Sequence, residues 1–158
     1  MGKRKHRIQN RFKTHEEFIN ACAEDPEMID TFTAKELGYL GEALACSYLE
    51  AQGYDAMCQG YRCPEGEADL VMFDPDSEEV VLVEVKTRRN HTDDDCLYPE
   101  LAVDERKQRR YERIAARYQM EYFPVFALRF DVIAVTLRPG FLAEIEHLVS
   151  AFEWDCQQ

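Results

Sequence analysis

Asp69, Glu84 and Lys86 are the residues of this chain whose types and spacing could do chemistry together. Glu84 and Lys86 stand two apart in Val80–Thr87, a run rich in β-branched residues that predicts a strand. Successive strand side chains point to opposite faces, so these two share a face while Val83 and Val85 take the other. Asp69 lies in a second predicted strand, Glu67 to Phe73. The turn formed by Asp74, Pro75, Asp76 and Ser77 folds the two strands into a hairpin and can bring Asp69 alongside the pair. Val80 to Val83 is apolar on both faces, which predicts a central strand. Charge in such a strand is costly unless paired or metal-bound. Here it begins only at the strand's end, where the sites of α/β folds open. Two carboxylates are hard oxygen ligands suited to Mg²⁺. Such an ion polarises a phosphoryl oxygen and can activate a water. Lys86 could orient that water, help deprotonate it, or stabilise charge in the transition state. The alternative is an ion pair of Lys86 with Glu84 or Asp69 at the sheet edge, and spacing alone favours it.

The surrounding elements must place these residues. Residues 1–13 read as a basic tail, with Lys3, Arg4, Lys5, Arg7, Arg11 and Lys13 and no acid. Residues 14–32 read as a short helical preamble, with Phe18, Ile19 and Cys22 on one side and Pro26 interrupting. Thr33 and Glu36 form a capping box for a helix over about 34–52, which Gly53 ends. Gly38 and Gly41 weaken that helix unless they let another backbone approach closely. Close docking at Gly41 would bring Glu42 to the sheet as a third carboxylate; the alternative is a solvated helix glutamate. Residues 54–60 predict a strand and 61–66 a loop. A helix follows over about 104–120, then a strand over 125–137 that can split near Arg129, a turn at Pro139–Gly140, and a last helix or mixed segment over 141–152. Strands alternating with helices predict an α/β sandwich around a mixed sheet. The expected endonuclease-like domain is 34–152, with 153–158 a C-terminal tail.

Basic residues near the hairpin are candidate nucleic-acid contacts. Arg88 and Arg89 continue past the lysine and could grip phosphates at a cleft mouth. In the helix, Arg106, Arg109, Arg110, Arg113 and Arg117 recur at three- and four-residue steps and can form one stripe, with Lys107 leaning toward the site. The alternative is a solvated face paired with Asp104, Glu105 and Glu112. Glu67 faces the same side as Asp69, as a further ion ligand or a rim residue. Asp131 reads as a partner for a base, and His147 as a packed polar residue.

The formal net charge of −12 opposes generic coating of nucleic acid, whose backbone is neutralised by Lys and Arg. The charge is polarised, however, with acids concentrated in 14–36, 74–79 and 93–95, so the mean says little of any one face. No CxxC pair completes a zinc pattern among the six cysteines, which suit a reducing compartment. No apolar stretch follows the basic start and no run approaches the ~20 apolar residues of a membrane span, so the expected address is cytoplasmic, without membrane. GxGxxG and GxxxxGK[ST] are absent, so no nucleotide cofactor is expected.

Several stretches in order resemble the UPF0102 (YraN) family of small bacterial proteins: Gly38-Tyr39-Leu40-Gly41-Glu42-Ala43, Gly66-Glu67-Ala68-Asp69-Leu70, Val83-Glu84-Val85-Lys86-Thr87-Arg88, Ala102-Val103-Asp104 with Lys107, Arg129-Phe130-Asp131-Val132, and Ile145-Glu146-His147 with Ala151-Phe152. The family is similar to the PD-(D/E)xK nuclease superfamily and to archaeal Holliday-junction resolvases. The resemblance implies a restriction-endonuclease-like α/β fold, a central mixed β-sheet flanked by helices. It also implies Asp69, Glu84 and Glu42 as ligands of Mg²⁺ or Mn²⁺, and Lys86 as the motif's lysine. The activity implied is metal-dependent hydrolysis of phosphodiester bonds in branched or flapped DNA, by a homodimer. Ala68 stands where the superfamily often has proline, and Leu82 or Val83 where it often has phenylalanine. The alternative function is a non-catalytic nucleic-acid- or protein-binding module on the same fold.

Overall fold

The structure is a computed structural model that describes residues 14–89, 103–125 and 127–152. The basic tail, the acidic run Asp93–Asp95 and the C-terminal tail lie outside the described residues. The fold is α/β: a five-stranded mixed sheet in the order β1-β2-β3-β4-β5, flanked by helices. The strands are β1 (Asp55–Cys63), β2 (Gly66–Asp74), β3 (Glu79–Arg89), β4 (Leu128–Arg138) and β5 (Leu142–Leu148). Only β3 and β4 run parallel, and the helix α3 (Glu105–Glu121) lies between them in the chain. Parallel neighbours need such a long connection, whereas the remaining pairs are antiparallel and close through short turns.

Helix α1 (His15–Glu24), a 3-10 segment (Pro26–Thr31) and α2 (Ala34–Ala51) precede the sheet. The predicted capping box is formed: Thr33 N–H donates to Glu36 Oε1 at 3.2 Å and Glu36 N–H to Thr33 Oγ1 at 3.3 Å. Apolar positions of α2, including Leu37, Leu40 and Leu49, bury against Val81, Val83 and Ile133 on one sheet face. Phe18, Cys22 and Phe32 join the same core, so the preamble packs on the α2 side. Asp104 caps α3 by accepting from Lys107 N–H at 2.9 Å. Tyr111, Ile114, Ala115 and Tyr118 of α3 bury against Val71, Leu82 and Phe130 on the opposite face. Strand β3 is buried on both sides from Val81 to Val83, as a central strand should be.

Three sequence expectations are corrected. Residues 141–152 contain strand β5, not a helix. Leu142, Ile145 and Leu148 recur every three residues and mimic a helical face, but pairing with the edge of β4 decides the outcome. Strand β4 runs unbroken through Arg129, whose guanidinium is satisfied inside the fold. Strand β1 extends through Cys63, leaving only a tight turn before Gly66.

Candidate active site

The β2–β3 ladder runs from Asp74↔Glu79 to Leu70↔Val83. One residue further on, where Asp69 and Glu84 would meet, the pattern changes: Val85 N–H donates to Asp69 Oδ2 at 2.8 Å instead of to a β2 carbonyl. A side chain has taken over a backbone position. Strand β3 meanwhile stays paired with β4 as far as Arg89↔Leu137. The two arms of the hairpin therefore separate at the level of the two acids, and a cleft of about 400 Å³ opens there. It is lined by Gly66, Glu67, Asp69, Glu84, Val85, Lys86, Arg110 and Tyr111.

Helix α3 forms the other wall. Its approach depends on Gly66, whose φ of +150° suits glycine and whose Cβ, if present, would meet Ile114 Cδ1 at 3.0 Å and Arg110 Cδ at 3.6 Å. Glycine at this position thus lets Arg110 and Tyr111 close over the strand ends.

Glu84 is 8% exposed. Lys86 Nζ pairs with Glu84 Oε1 at 2.8 Å, and the Tyr111 hydroxyl, in the same cleft lining, interacts with that carboxylate. Burial alone would raise the Glu84 carboxyl, but Lys86, Tyr111 and the charge of Lys107 outweigh it and the net displacement is downward. Asp69 goes the other way. Burial pushes it up, the Val85 N–H opposes that, and the charges of Glu84 and Glu67 add to the upward push. Burial and the neighbouring Glu84 charge also push the Tyr111 hydroxyl far up, so it remains a donor. Two neighbouring carboxyls are thus displaced in opposite directions, a pattern common where one site needs two different acids.

The remaining predicted residues fall in different places. Glu67 is a rim residue, ion-paired with Arg62 at 3.3 Å. Arg110 lines the cleft, with its guanidinium carbon 5.7 Å from the Tyr111 ring centre. Lys107 is half-buried and near enough to act on Glu84 electrostatically, while Arg113 is exposed on the same helix. The stripe is not uniform: Arg109 pairs with Glu105 at 3.3 Å, and Arg117 makes a 2.6 Å fork to Glu65. Arg88 Nε donates to Thr136 Oγ1 at 3.3 Å. Arg89 is turned away from the cleft and donates to the carbonyls of Ile29 and Phe32 at 2.7 and 2.8 Å, holding the end of the 3-10 segment.

Glu42 is not among the cleft-lining residues. Gly41 beside it does permit the close docking expected: a Cβ there would collide with the Thr87 side chain. That seam lies on the α2 face of β3, because Thr87 points opposite to Glu84 and Lys86. Gly38 has open space around it. Asp131 and His147 also lie outside the cleft, in a buried cluster with Arg129. Sequence reasoning missed Tyr111. Its signal was slight, a large aromatic next to Arg110 in a helix whose register against the strand ends was unknown.

Among the described residues no three His, Cys, Asp or Glu side chains group to hold a metal ion. Asp69 and Glu84 make a pair, and their donor chemistry suits a hard cation. Burial is the main cause of the upward displacement of Asp69, and the charges of Glu84 and Glu67 add to it. Among the described residues no helix is long and apolar enough to cross a membrane.

Comparison with known proteins gives one consistent answer. Residues 41–135 match the family model described as "Uncharacterised protein family UPF0102". A UPF0102 protein of Syntrophus aciditrophicus is 43% identical over 117 residues, covering 73% of this chain and 87% of the relative. One from Pelobacter propionicus is 39% identical over 120 residues, covering 75% and 84%. Another, from Moorella thermoacetica, is 39% identical over 124 residues, covering 77% and 99%. The matched region holds Asp69, Glu84, Lys86, Tyr111 and both walls of the cleft, and the chain belongs to the UPF0102 family.

Proposed function

We propose that the cleft hydrolyses phosphodiester bonds of nucleic acid with the help of a divalent metal ion. The observation that carries this reading is the separation of β2 and β3 at Asp69 and Glu84, which opens two acids and Lys86 to one cleft. Asp69 and Glu84 would hold Mg²⁺ or Mn²⁺, which when bound supplies polarisation of a phosphoryl oxygen and a more acidic water.

The chain's own residues have distinct tasks. The Val85 N–H fixes one Asp69 oxygen, so that carboxylate cannot turn away from the cleft. Lys86 is 38% exposed at its side chain and ends beside Glu84, placing a positive charge where a phosphoryl group loses its leaving oxygen. Arg110 at the wall offers a fork to an adjacent phosphate, Lys107 adds positive charge near Glu84, and Arg113 and Arg88 are further proposed phosphate contacts. DNA is the proposed polymer. Branched or flapped forms and a homodimeric assembly follow from the resemblance to resolvases, and a cytoplasmic location from the sequence.

The test incubates purified full-length protein with linear, single-stranded, flapped and four-way DNA and with RNA, in Mg²⁺, Mn²⁺ or EDTA. Glu84→Gln and Lys86→Ala run alongside. Cleavage that needs metal and is lost in both variants is expected. Cleavage that survives both variants belongs to another site. One observation favours a second reading: Lys86 is already paired with Glu84. A non-catalytic binding module would bind these DNAs without cutting any, and would bind as well after Glu84→Gln.

A further inference from the structure

We infer that Tyr111 is a positioning residue for the metal-holding carboxylate: its hydroxyl, presented by α3 to Glu84 across the cleft, fixes that side chain in the orientation that receives a divalent cation. The inference rests on the metal-holding reading above and adds a residue from outside the strand motif.

The geometry has three parts. First, Tyr111 is 5% exposed and nevertheless lines the cleft, so its ring is packed while its hydroxyl reaches the site. The Glu84 carboxylate lines the same cleft and is the group with which that hydroxyl interacts. Second, the ring is braced. Its centre lies 6.0 Å from that of Phe130 and 6.2 Å from that of Phe152, and those two rings stack at 4.5 Å. Such a ring has little freedom to follow a carboxylate that moves, so the carboxylate conforms to the ring. Third, the two donors to Glu84 differ in stiffness. Lys86 brings a long flexible chain, 38% exposed, and can leave Oε1 when a cation competes for it. Tyr111 cannot leave without repacking α3 against β4. Outer partners of this kind commonly orient a ligating side chain, and their loss weakens metal binding by about 10–100-fold.

Manganese binding to the full chain without nucleic acid, followed by calorimetry and by the spin signal of free Mn²⁺, provides the test. Tyr111→Phe is expected to bind Mn²⁺ about 10–100-fold more weakly than the native chain. Tyr118→Phe removes a hydroxyl from the same helix away from the cleft and should bind as the native chain does. In a Glu84→Gln background, Tyr111→Phe should add no further loss, because its effect runs through Glu84. Equal binding by native chain and Tyr111→Phe, with Glu84→Gln weakened, overturns the Tyr111 assignment alone. The same loss in both backgrounds also overturns it, since the effect is then general packing. No Mn²⁺ binding by the native chain overturns the metal-holding reading and takes the Tyr111 assignment with it. A crystal structure of the native chain with Mn²⁺ gives a check that needs no variant. The Tyr111 hydroxyl should lie within hydrogen-bond distance of the metal-bound Glu84; a hydroxyl turned away overturns the assignment.

Discussion

Arg129, Asp131 and His147 on the α2 face of the sheet, and Asp69, Glu84 and Lys86 on its α3 face, are both groups of opposite charge set among apolar side chains. Their bonding differs sharply. Asp131 is 1% exposed and accepts from Arg129 Nε at 2.9 Å, Arg129 Nη2 at 3.1 Å and the Ser150 N–H at 3.0 Å, with His147 Nε2 at 2.8 Å from Oδ2. Arg129 in turn reaches Asp74 at 3.0 Å, Glu79 at 3.3 Å and the Tyr54 hydroxyl at 3.0 Å. That cluster ties the β2–β3 turn to β4 and β5. Its capacity is used up internally, as buried charge requires. In the cleft, Asp69 accepts from one backbone N–H among the described residues and lies beside another acid. One cluster is closed and structural; the other retains capacity for something outside the chain. Proteins tolerate such open polarity mainly where it serves function.

The largest effect should come from breaking the closed cluster. Arg129→Ala leaves Asp131 buried without the two bonds it accepts from that guanidinium and is expected to lower unfolding free energy by about 3–5 kcal/mol in urea titration. An unchanged midpoint would end the claim that this cluster is structural. In the cleft, Lys86→Ala removes a partner that is itself 38% exposed from a carboxylate that lines open space, and should lower the unfolding free energy by about 1–2 kcal/mol, less than Arg129→Ala. It should slow cleavage about 100-fold or more. A large stability loss there would make the two clusters alike.

The α2–β3 seam behind the cleft sharpens the contrast next. Gly41→Ala drives a methyl into Thr87 and should cost about 1–3 kcal/mol by overpacking. Gly38→Ala three residues earlier meets nothing and should stabilise by about 0.5–1 kcal/mol. Thermal melts of the two variants, moving in opposite directions, are the check.

Acid gives the smallest and most diagnostic effect. Burial raises the carboxyl of Asp131, but His147, Arg129 and Ser150 outweigh it, so its folded value is lowered; Arg129 does the same at Asp74. A lowered carboxyl stabilises above its unfolded value, about 4, and that contribution is lost as pH falls through the folded value. Asp69 has the opposite sign. Its raised folded value favours the fold below about pH 4, and the benefit is lost as pH rises through it. Asp69→Asn should therefore be neutral or up to about 1 kcal/mol more stable at pH 7 while losing activity, and Asp131→Asn less stable. Unfolding curves at pH 7 and pH 3 separate the two. Destabilisation by Asp69→Asn at pH 7 would place Asp69 in the closed class.

The parts of this arrangement legible in the sequence were those set by local rules. The Thr33–Glu36 box, the Asp74–Ser77 turn and the two-residue step from Glu84 to Lys86 each follow from spacing within a few residues. What remained hidden depended on register between distant elements. Nothing near Tyr111 specifies that its turn of α3 faces the β3 end, and nothing near Arg89 says that carbonyls of the 3-10 segment will claim it. Arg117 looked like one more member of a basic stripe until Glu65 met it. Strand β5 was obscured because its apolar residues recur every three positions while pairing with β4 imposes alternation.

The bond from Val85 N–H to Asp69 limits which residues position 69 can hold. The carboxylate completes the main-chain pairing of a central strand, so discarding it for a small apolar residue would leave an amide orphaned where the sheet forks. On the proposed reading, a descendant that lost the reaction would still be pressed to keep an oxygen at position 69. Asparagine would be its cheapest exit, and a lineage of silent relatives would carry that mark while Lys86, bound only to a neighbour's side chain, drifted freely.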